Sequence, residues 1–212
     1  MFKTEHDNNE EGYISFVAWS DVFICPNCSE EIIYWREAVN VQEKKIRKKF
    51  NCPHCKVNLS KKMLERSYET VFDNYLEKTI TLAKQVPVFI SYNVKNNIHY
   101  KEFSKSDEVL LNEILNKKIP YEFPKIRMPE GDESRRNDSI GLTHTHHFYT
   151  KRNLYTLACF FHYARKSKYF LNLLFFFQAS INRATKTNRF RFGGTGGLSG
   201  PSFRNSDGSR CR

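Results

Sequence analysis

The chain has 212 residues, 40 % of them hydrophobic and 15 % aromatic, enough for one packed domain or two small ones. Its longest apolar stretches, such as Tyr169–Gln178, are too short to span a bilayer, and the polar, acidic start Met1–Tyr13 lacks the pattern of a secretory signal. The net charge is +11, unevenly spread: residues 1–150 hold 22 Lys/Arg and 22 Asp/Glu, whereas residues 151–212 hold 12 Lys/Arg and the single acid Asp207. A basic segment of this kind attracts polyanions, nucleic acid above all, or serves only to solubilise a tail.

In chain order, Tyr13–Ile24 alternates and is rich in β-branched and aromatic residues, which predicts a strand. It runs into the first of two Cys-Pro-x-Cys pairs. Cys25 and Cys28 are separated from Cys52 and Cys55 by 23 residues. Each pair curls so that both thiolates point inward, and Pro26 and Pro53 stiffen the turns. Four thiolates suit a tetrahedral zinc, and two such knuckles on hairpin tips make a zinc ribbon. A redox pair of the thioredoxin type is the alternative, and two pairs at this spacing argue against it. A closed four-cysteine site has no open position for water, so it is structural rather than catalytic, and the metal supplies folding free energy. Four cysteines at ligand spacing and two isolated ones suit a reducing cytoplasm. Glu31–Val39 reads as the strand leaving the first knuckle, and Glu43–Asn51 leads into the second. His54 reads as a solvent-facing turn residue. The run Lys44–Lys49 reads as a solvated loop, with phosphate contact as the alternative.

Beyond the ribbon, Lys61–Val86 carries apolar residues at mixed spacing. Pro87–Val94 predicts a strand closed by Asn96 and Asn97. Ser104–Lys118 predicts an amphipathic helix, capped by Ser106, with Val109, Leu110, Ile114 and Leu115 as its apolar stripe. Ile119–Asp138, with three prolines, reads as a linker or loop. Gly141–Asn153 holds His144, His146 and His147. They invite a metal reading, but no carboxylate pattern accompanies them, and polar contacts in a loop explain them better. Thr150–Lys168 predicts a helix capped by Thr150, with Leu154, Leu157, Ala158 and Phe161 inward and Cys159 as a buried small hydrophobe. Tyr169–Ile181 reads as a fully buried strand or helix. The chain then turns Gly/Ser-rich, which reads as disorder.

Several of these segments, in this order, resemble the middle of bacterial site-specific DNA methyltransferases. They are GYISFVAWSDVFICPNCSEEIIYW, CPHC, YETVFD, KQVPVFISYNV, MPEGDESRRND, GLTHTHHFYTKRNLYTLA and FGGTGGLSG. That family moves a methyl group from S-adenosylmethionine to adenine N6 or cytosine N4 of DNA. The resemblance spans about residues 12–200 and implies an internal fragment of such an enzyme. The family's catalytic motif is Asp, Asn or Ser followed by Pro-Pro and an aromatic, and this chain has no Pro-Pro dipeptide. Phe192–Gly196 fits the cofactor pattern Phe-x-Gly-x-Gly by letter, but no apolar strand precedes it and no helix follows. The sequence after Gly200 departs from the family, as a frameshift or truncated gene would produce.

The expectation is therefore an α+β chain: a four-cysteine zinc ribbon inserted in or preceding an incomplete mixed α/β, Rossmann-like methyltransferase portion. Residues 1–60 form the first strand and ribbon, 61–190 the mixed α/β portion, and 191–212 a disordered tail. The metal ligands are Cys25, Cys28, Cys52 and Cys55. No catalytic or S-adenosylmethionine-binding residue is assigned, and that cofactor belongs to the intact family enzyme only. DNA is the expected partner. Lys151 and Arg152, at a helix start, are the first candidates for phosphate contacts, and Arg135 and Arg136, among acids, the weaker ones. The remaining part of a split methyltransferase is a second candidate partner, and a membrane is not expected. A zinc-ribbon nucleic-acid adaptor without chemistry is the alternative function.

Overall fold

The computed structural model describes residues 3–6 and 10–188. The chain divides into two compact units, Met1–Asn116 and Lys117–Arg212. The expected tail and the Phe192–Gly196 motif lie outside the described residues.

The first unit is a curled antiparallel sheet with the cysteine-bearing segment at one end. Its strands are β1 (Lys3–Glu5), β2 (Glu11–Ile24), β3 (Glu31–Ile33), β4 (Val39–Asn40), β5 (Lys45–Ile46), β6 (Lys49–Asn51), β7 (Asn58–Ser60), β8 (Glu65–Arg66), β9 (Tyr68–Asp73), β10 (Lys78–Ala83), β11 (Gln85–Val94) and β12 (Asn97–Glu102). The helix α1 (Tyr34–Ala38) follows β3, and α2 (Lys105–Asn116) closes the unit. The main sheet runs β1-β2-β11-β12, with β3 and β8 also pairing with β2. The hairpins β4–β5, β6–β7 and β9–β10 stand apart from it.

The 14-residue β2 is the axis of this unit. Tyr13–Asp21 pairs with β11, and Val22–Ile24 pairs with β3 on the way into Cys25. Within the sheet, Ile90, Tyr92 and Val94 of β11 form a buried cluster with Ile14, Val17 and Phe103 packed against it. Gly12 belongs here for a steric reason. A Cβ on it would lie 2.4 Å from Tyr92 Cδ2. The Tyr92 ring is buried, and its hydroxyl lies 2.9 Å from His6 Nδ1, so it cannot swing aside cheaply. Gly12→Ala is expected to cost about 1–3 kcal/mol, as overpacking does. A urea midpoint equal to that of the unaltered chain would refute this.

Several sequence expectations need correction here. Glu31–Val39 is not one strand: three residues of β3 give way to α1, whose Trp35 N–H donates to Ser20 Oγ at 3.0 Å. Asn97 does not end the Pro87–Val94 segment but begins β12. Lys95 and Asn96 both take positive φ, 48° and 70°, the two-residue hairpin turn whose twist matches its strands. Ser104, not Ser106, caps α2. Its Oγ accepts from Asp107 N–H, and the Asp107 carboxylate accepts from Ser104 N–H, a reciprocal capping box. Val109 and Leu115 are exposed, so the inward side of α2 is Asp107, Leu110, Leu111 and Ile114.

The second unit holds α3 (Asp132–Asp138), α4 (Lys151–Ala164) and α5 (Phe170–Ile181). Thr150 caps α4 as expected, its side chain accepting from Asn153 N–H. Leu154 and Ala158 are buried, and Phe160 stacks on Phe177 of α5 at 5.8 Å. The segment Tyr169–Ile181 is a helix, and it is not fully buried. Leu171, Phe175 and Phe176 are 76 %, 78 % and 60 % exposed. Cys159 is half-buried rather than buried.

Taken together the fold is mixed α and β. Every strand pair among the described residues is antiparallel, so the doubly wound parallel sheet of a Rossmann-like portion is not seen among them. No helix among the described residues is long and apolar enough to cross a membrane.

Candidate metal centre

The four cysteines converge. One ligand atom from each of Cys25, Cys28, Cys52 and Cys55 lies within 4.8 Å of the others. Cys25 Sγ and Cys55 Sγ are 3.8 Å apart, and so are Cys28 Sγ and Cys52 Sγ. A tetrahedron with metal–sulfur bonds of about 2.3 Å has edges of about 3.8 Å. The spacing therefore fits a four-thiolate metal site, and neither of these pairs sits at disulfide distance.

The two knuckles are copies of one local design, offset by 27 residues. The Cys25 N–H donates to Glu30 C=O at 2.9 Å, and the Cys52 N–H to Val57 C=O at 2.9 Å. The Ser29 N–H returns to Cys25 C=O at 2.9 Å, and the Lys56 N–H to Cys52 C=O at 3.1 Å. Ser29 and Lys56, each four residues after the first cysteine of its pair, both take positive φ, 60° and 62°. Glycine would be the easier residue at either position. The first knuckle sits between β2 and β3, the second between β6 and β7. Beneath them, Cys25, Cys52, Ile32, Ala38, Phe50 and Leu59 form a buried cluster joined by Tyr34, Val57 and Leu64. The Tyr34 ring meets Phe50 edge-on at 5.9 Å, and burial raises its phenol pKa.

Hydrogen bonds to sulfur grade the thiols. The backbone N–H of Val57, with the Asn27 side chain, holds the Cys55 thiol down to about 6. Cys25 is also lowered: burial opposes ionisation, but the N–H groups of Cys28 and Asn27 outweigh it. Cys28 receives the Glu30 N–H, yet burial and the neighbouring thiols push it up to about 12. Packed sulfurs cannot all ionise without a cation among them. A bound cation relieves this repulsion, and metal binding then releases the remaining thiol protons. Asn27, at the variable position of its motif, reaches across to the other knuckle, a role that motif spacing does not reveal.

The histidines sit in one turn, Thr145–Phe148 and its preceding residue, with His146 and His147 buried. Thr143 Oγ1 lies 2.8 Å from His144 Nδ1, and His144 N–H approaches His147 Nδ1 at 3.4 Å. His54 is exposed, as expected. The candidate DNA contacts lie on α3 and α4 of the second unit. Lys151 and Arg152 open α4 but are half-buried, and burial lowers the Arg152 pKa. Arg135, in α3, is exposed and pairs with Asp132, and Arg136 is its exposed neighbour.

Compared with protein-family models, curated proteins and solved structures, the chain matches none. The resemblance to methyltransferases accordingly stands on its sequence motifs alone.

Proposed function

We propose that the chain is the zinc-holding, DNA-contacting portion of a site-specific DNA methyltransferase of the amino-methylating class, without catalytic power of its own. The observation that carries the metal half is the tetrahedral spacing of Cys25, Cys28, Cys52 and Cys55 at the end of β2. Thiolate donors at this spacing suit zinc, and all four positions are filled by protein, which leaves none for a substrate. Zinc here joins two hairpins and performs no chemistry. The enzymatic half rests on the ordered motifs and on the absent Pro-Pro-aromatic segment, so S-adenosylmethionine belongs to an intact enzyme. The rival reading, a zinc-ribbon adaptor that binds nucleic acid with no methyltransferase partner, draws on the same absence.

The test uses the full chain, labelled S-adenosylmethionine and mixed-sequence duplex DNA. Alone, the chain should bind DNA and transfer no methyl groups. Mixed with a second polypeptide that supplies the Pro-Pro-aromatic segment of this family, it should restore transfer. Restoration decides against the adaptor, and no restoration decides for it. Methyl transfer by the chain alone, abolished by Gly194→Ala, would overturn the non-catalytic assignment.

A further inference from the structure

The near-neutral balance of the first 150 residues conceals a local excess. Residues 41–62 hold eight Lys/Arg (Lys44, Lys45, Arg47, Lys48, Lys49, Lys56, Lys61 and Lys62) against the single acid Glu43. The fold gathers them on the cysteine-bearing segment. Lys44 and Lys45 lie at the β4–β5 turn, and Arg47 and Lys48 link β5 to β6. Lys49 opens β6 opposite Ser60 of β7, whose end leads into Lys61 and Lys62. All eight are exposed.

Their surroundings set them apart from five other cations of the same unit, although, among the described residues, Arg36, Lys78 and Lys105, each isolated in sequence, likewise have no carboxylate at ion-pair distance. Lys3, Arg66, Lys84, Lys95 and Lys101 each pair with a carboxylate: Glu11, Asp21, Glu31, Glu10 and Asp107 respectively. Among the described residues, Lys44, Lys45, Arg47, Lys48, Lys49 and Lys62 have no carboxylate at ion-pair distance. Like charges this dense in sequence, five of them within Lys44–Lys49, repel one another, a cost relieved when a polyanion binds. The patch is also held by the fold. The Arg47 N–H donates to Ala38 C=O at 2.7 Å, Lys44 occupies a left-handed turn at φ 54°, and β6 runs directly into Cys52. A knuckle closed by metal therefore fixes the strand that carries Lys49.

We infer that this face of the ribbon is the principal phosphate-backbone contact for duplex DNA, in place of the α4 start suggested by sequence. The inference rests on the proposed reading for its choice of nucleic acid over other polyanions. Such a surface positions the duplex without reading bases, so its binding is insensitive to sequence and steep in salt.

The test compares three full-length proteins loaded with zinc: the unaltered chain, a variant with Lys44, Lys45, Lys48 and Lys49 changed to serine, and a variant with Lys151 and Arg152 changed to alanine. Binding to a duplex of about 20 base pairs is measured by fluorescence anisotropy from about 50 to 200 mM salt, the range over which phosphate contacts weaken most visibly. Metal content and circular dichroism establish that each variant is folded. The serine variant should bind at least about tenfold more weakly at the middle of that range and lose about 3–4 from the log–log salt slope, since each phosphate contact adds about 0.9. The alanine variant should keep most of its slope. A serine variant that keeps its slope overturns the inference, and the proposed function still stands if the alanine variant then loses about 2. If the unaltered chain binds no duplex but binds phosphatidylserine vesicles, both are overturned.

Discussion

Cys52→Ser is expected to abolish stoichiometric zinc binding and to unfold the ribbon. The reason is the size of the metal's contribution against that of the local core. Structural zinc sites contribute apparent binding energies of about 10–16 kcal/mol at neutral pH, more than the whole stability of many domains. The cluster under the knuckles holds only Ile32, Ala38, Phe50 and Leu59 as buried apolar residues besides two of the ligands themselves. Serine preserves the size of the side chain and removes the soft donor. The expected result is loss of the bound zinc and loss of the dispersed amide signals of β3, β6 and β7, reproduced in the unaltered chain by a chelator. Cobalt substitution offers a direct view, with thiolate charge-transfer bands in the unaltered chain and none of the same intensity in the variant. Uptake at neutral pH should release protons, because the Cys28 thiol must give one up, and affinity should fall as pH is lowered. A Cys52→Ser protein that retains one tightly held zinc and a folded ribbon would exclude the four-thiolate site.

Asp107→Ala is expected to destabilise the first unit by about 2–4 kcal/mol, the range for stranding the donors of a buried charge. The Asp107 carboxylate is buried, and four groups point at it: Thr4 Oγ1 at 2.5 Å, Ser104 Oγ at 2.6 Å, Ser104 N–H at 3.1 Å and Lys101 Nζ at 3.0 Å. It ties β1, β12 and the start of α2 together. Hydrogen bonds to a charged group are worth about 1.5–3 kcal/mol each, and removing the acceptor leaves its donors without a partner. Burial raises the carboxyl's pKa, but Ser104, Thr4 and Lys101 outweigh burial and hold it below its ordinary value. The stability tied to this group is therefore fully present above its unfolded pKa, about 3.9, and is lost as pH falls through the lower folded value. Urea midpoints at neutral pH and at about pH 3 check both statements: the gap between the unaltered chain and the variant should narrow at the lower pH. A gap that persists unchanged would assign the loss to packing rather than charge.

The legible parts of the sequence were those whose signals are local. Two Cys-Pro-x-Cys pairs fix their own turns, so the convergence of the four thiols could be read from spacing. The alternation of Tyr13–Ile24 survives as β2 because one of its faces is buried. Thr150 was recognisable as a cap because the donor it serves lies three residues away. The misread parts depend on neighbours distant in sequence. Val109 and Leu115 lie on the apolar stripe by periodicity, yet the chain leaves both facing solvent, and Asp107 takes an inward place because β1 and β12 supply its partners. The β12 strand Asn97–Glu102 is mostly polar and lies at an edge, so it shows little hydrophobic pattern. It is held by the Lys95–Asn96 turn and by β11. The composition of α5 resembles a core segment, and no local signal announces that Leu171, Phe175 and Phe176 face outward. The ribbon's basic patch was visible as a run, but its lack of nearby acids is a property of the fold.

The continuity of β2 has a consequence for how disturbance spreads through the first unit. Its residues up to Asp21 belong to the broad sheet, and its last three, Val22–Ile24, deliver the chain into the cysteine knuckle. Metal loss and sheet melting thus pull on opposite ends of one uninterrupted strand about 46 Å long. Amide exchange along β2 should then show a step rather than a slope. In the chelated protein, exchange should quicken from Val22 onward, while Ile14 to Ser20, gripped by β11, stay slow. A strand with that exchange pattern would act as a rod clamped at one end, letting the ribbon come and go while the sheet that aims it keeps its place.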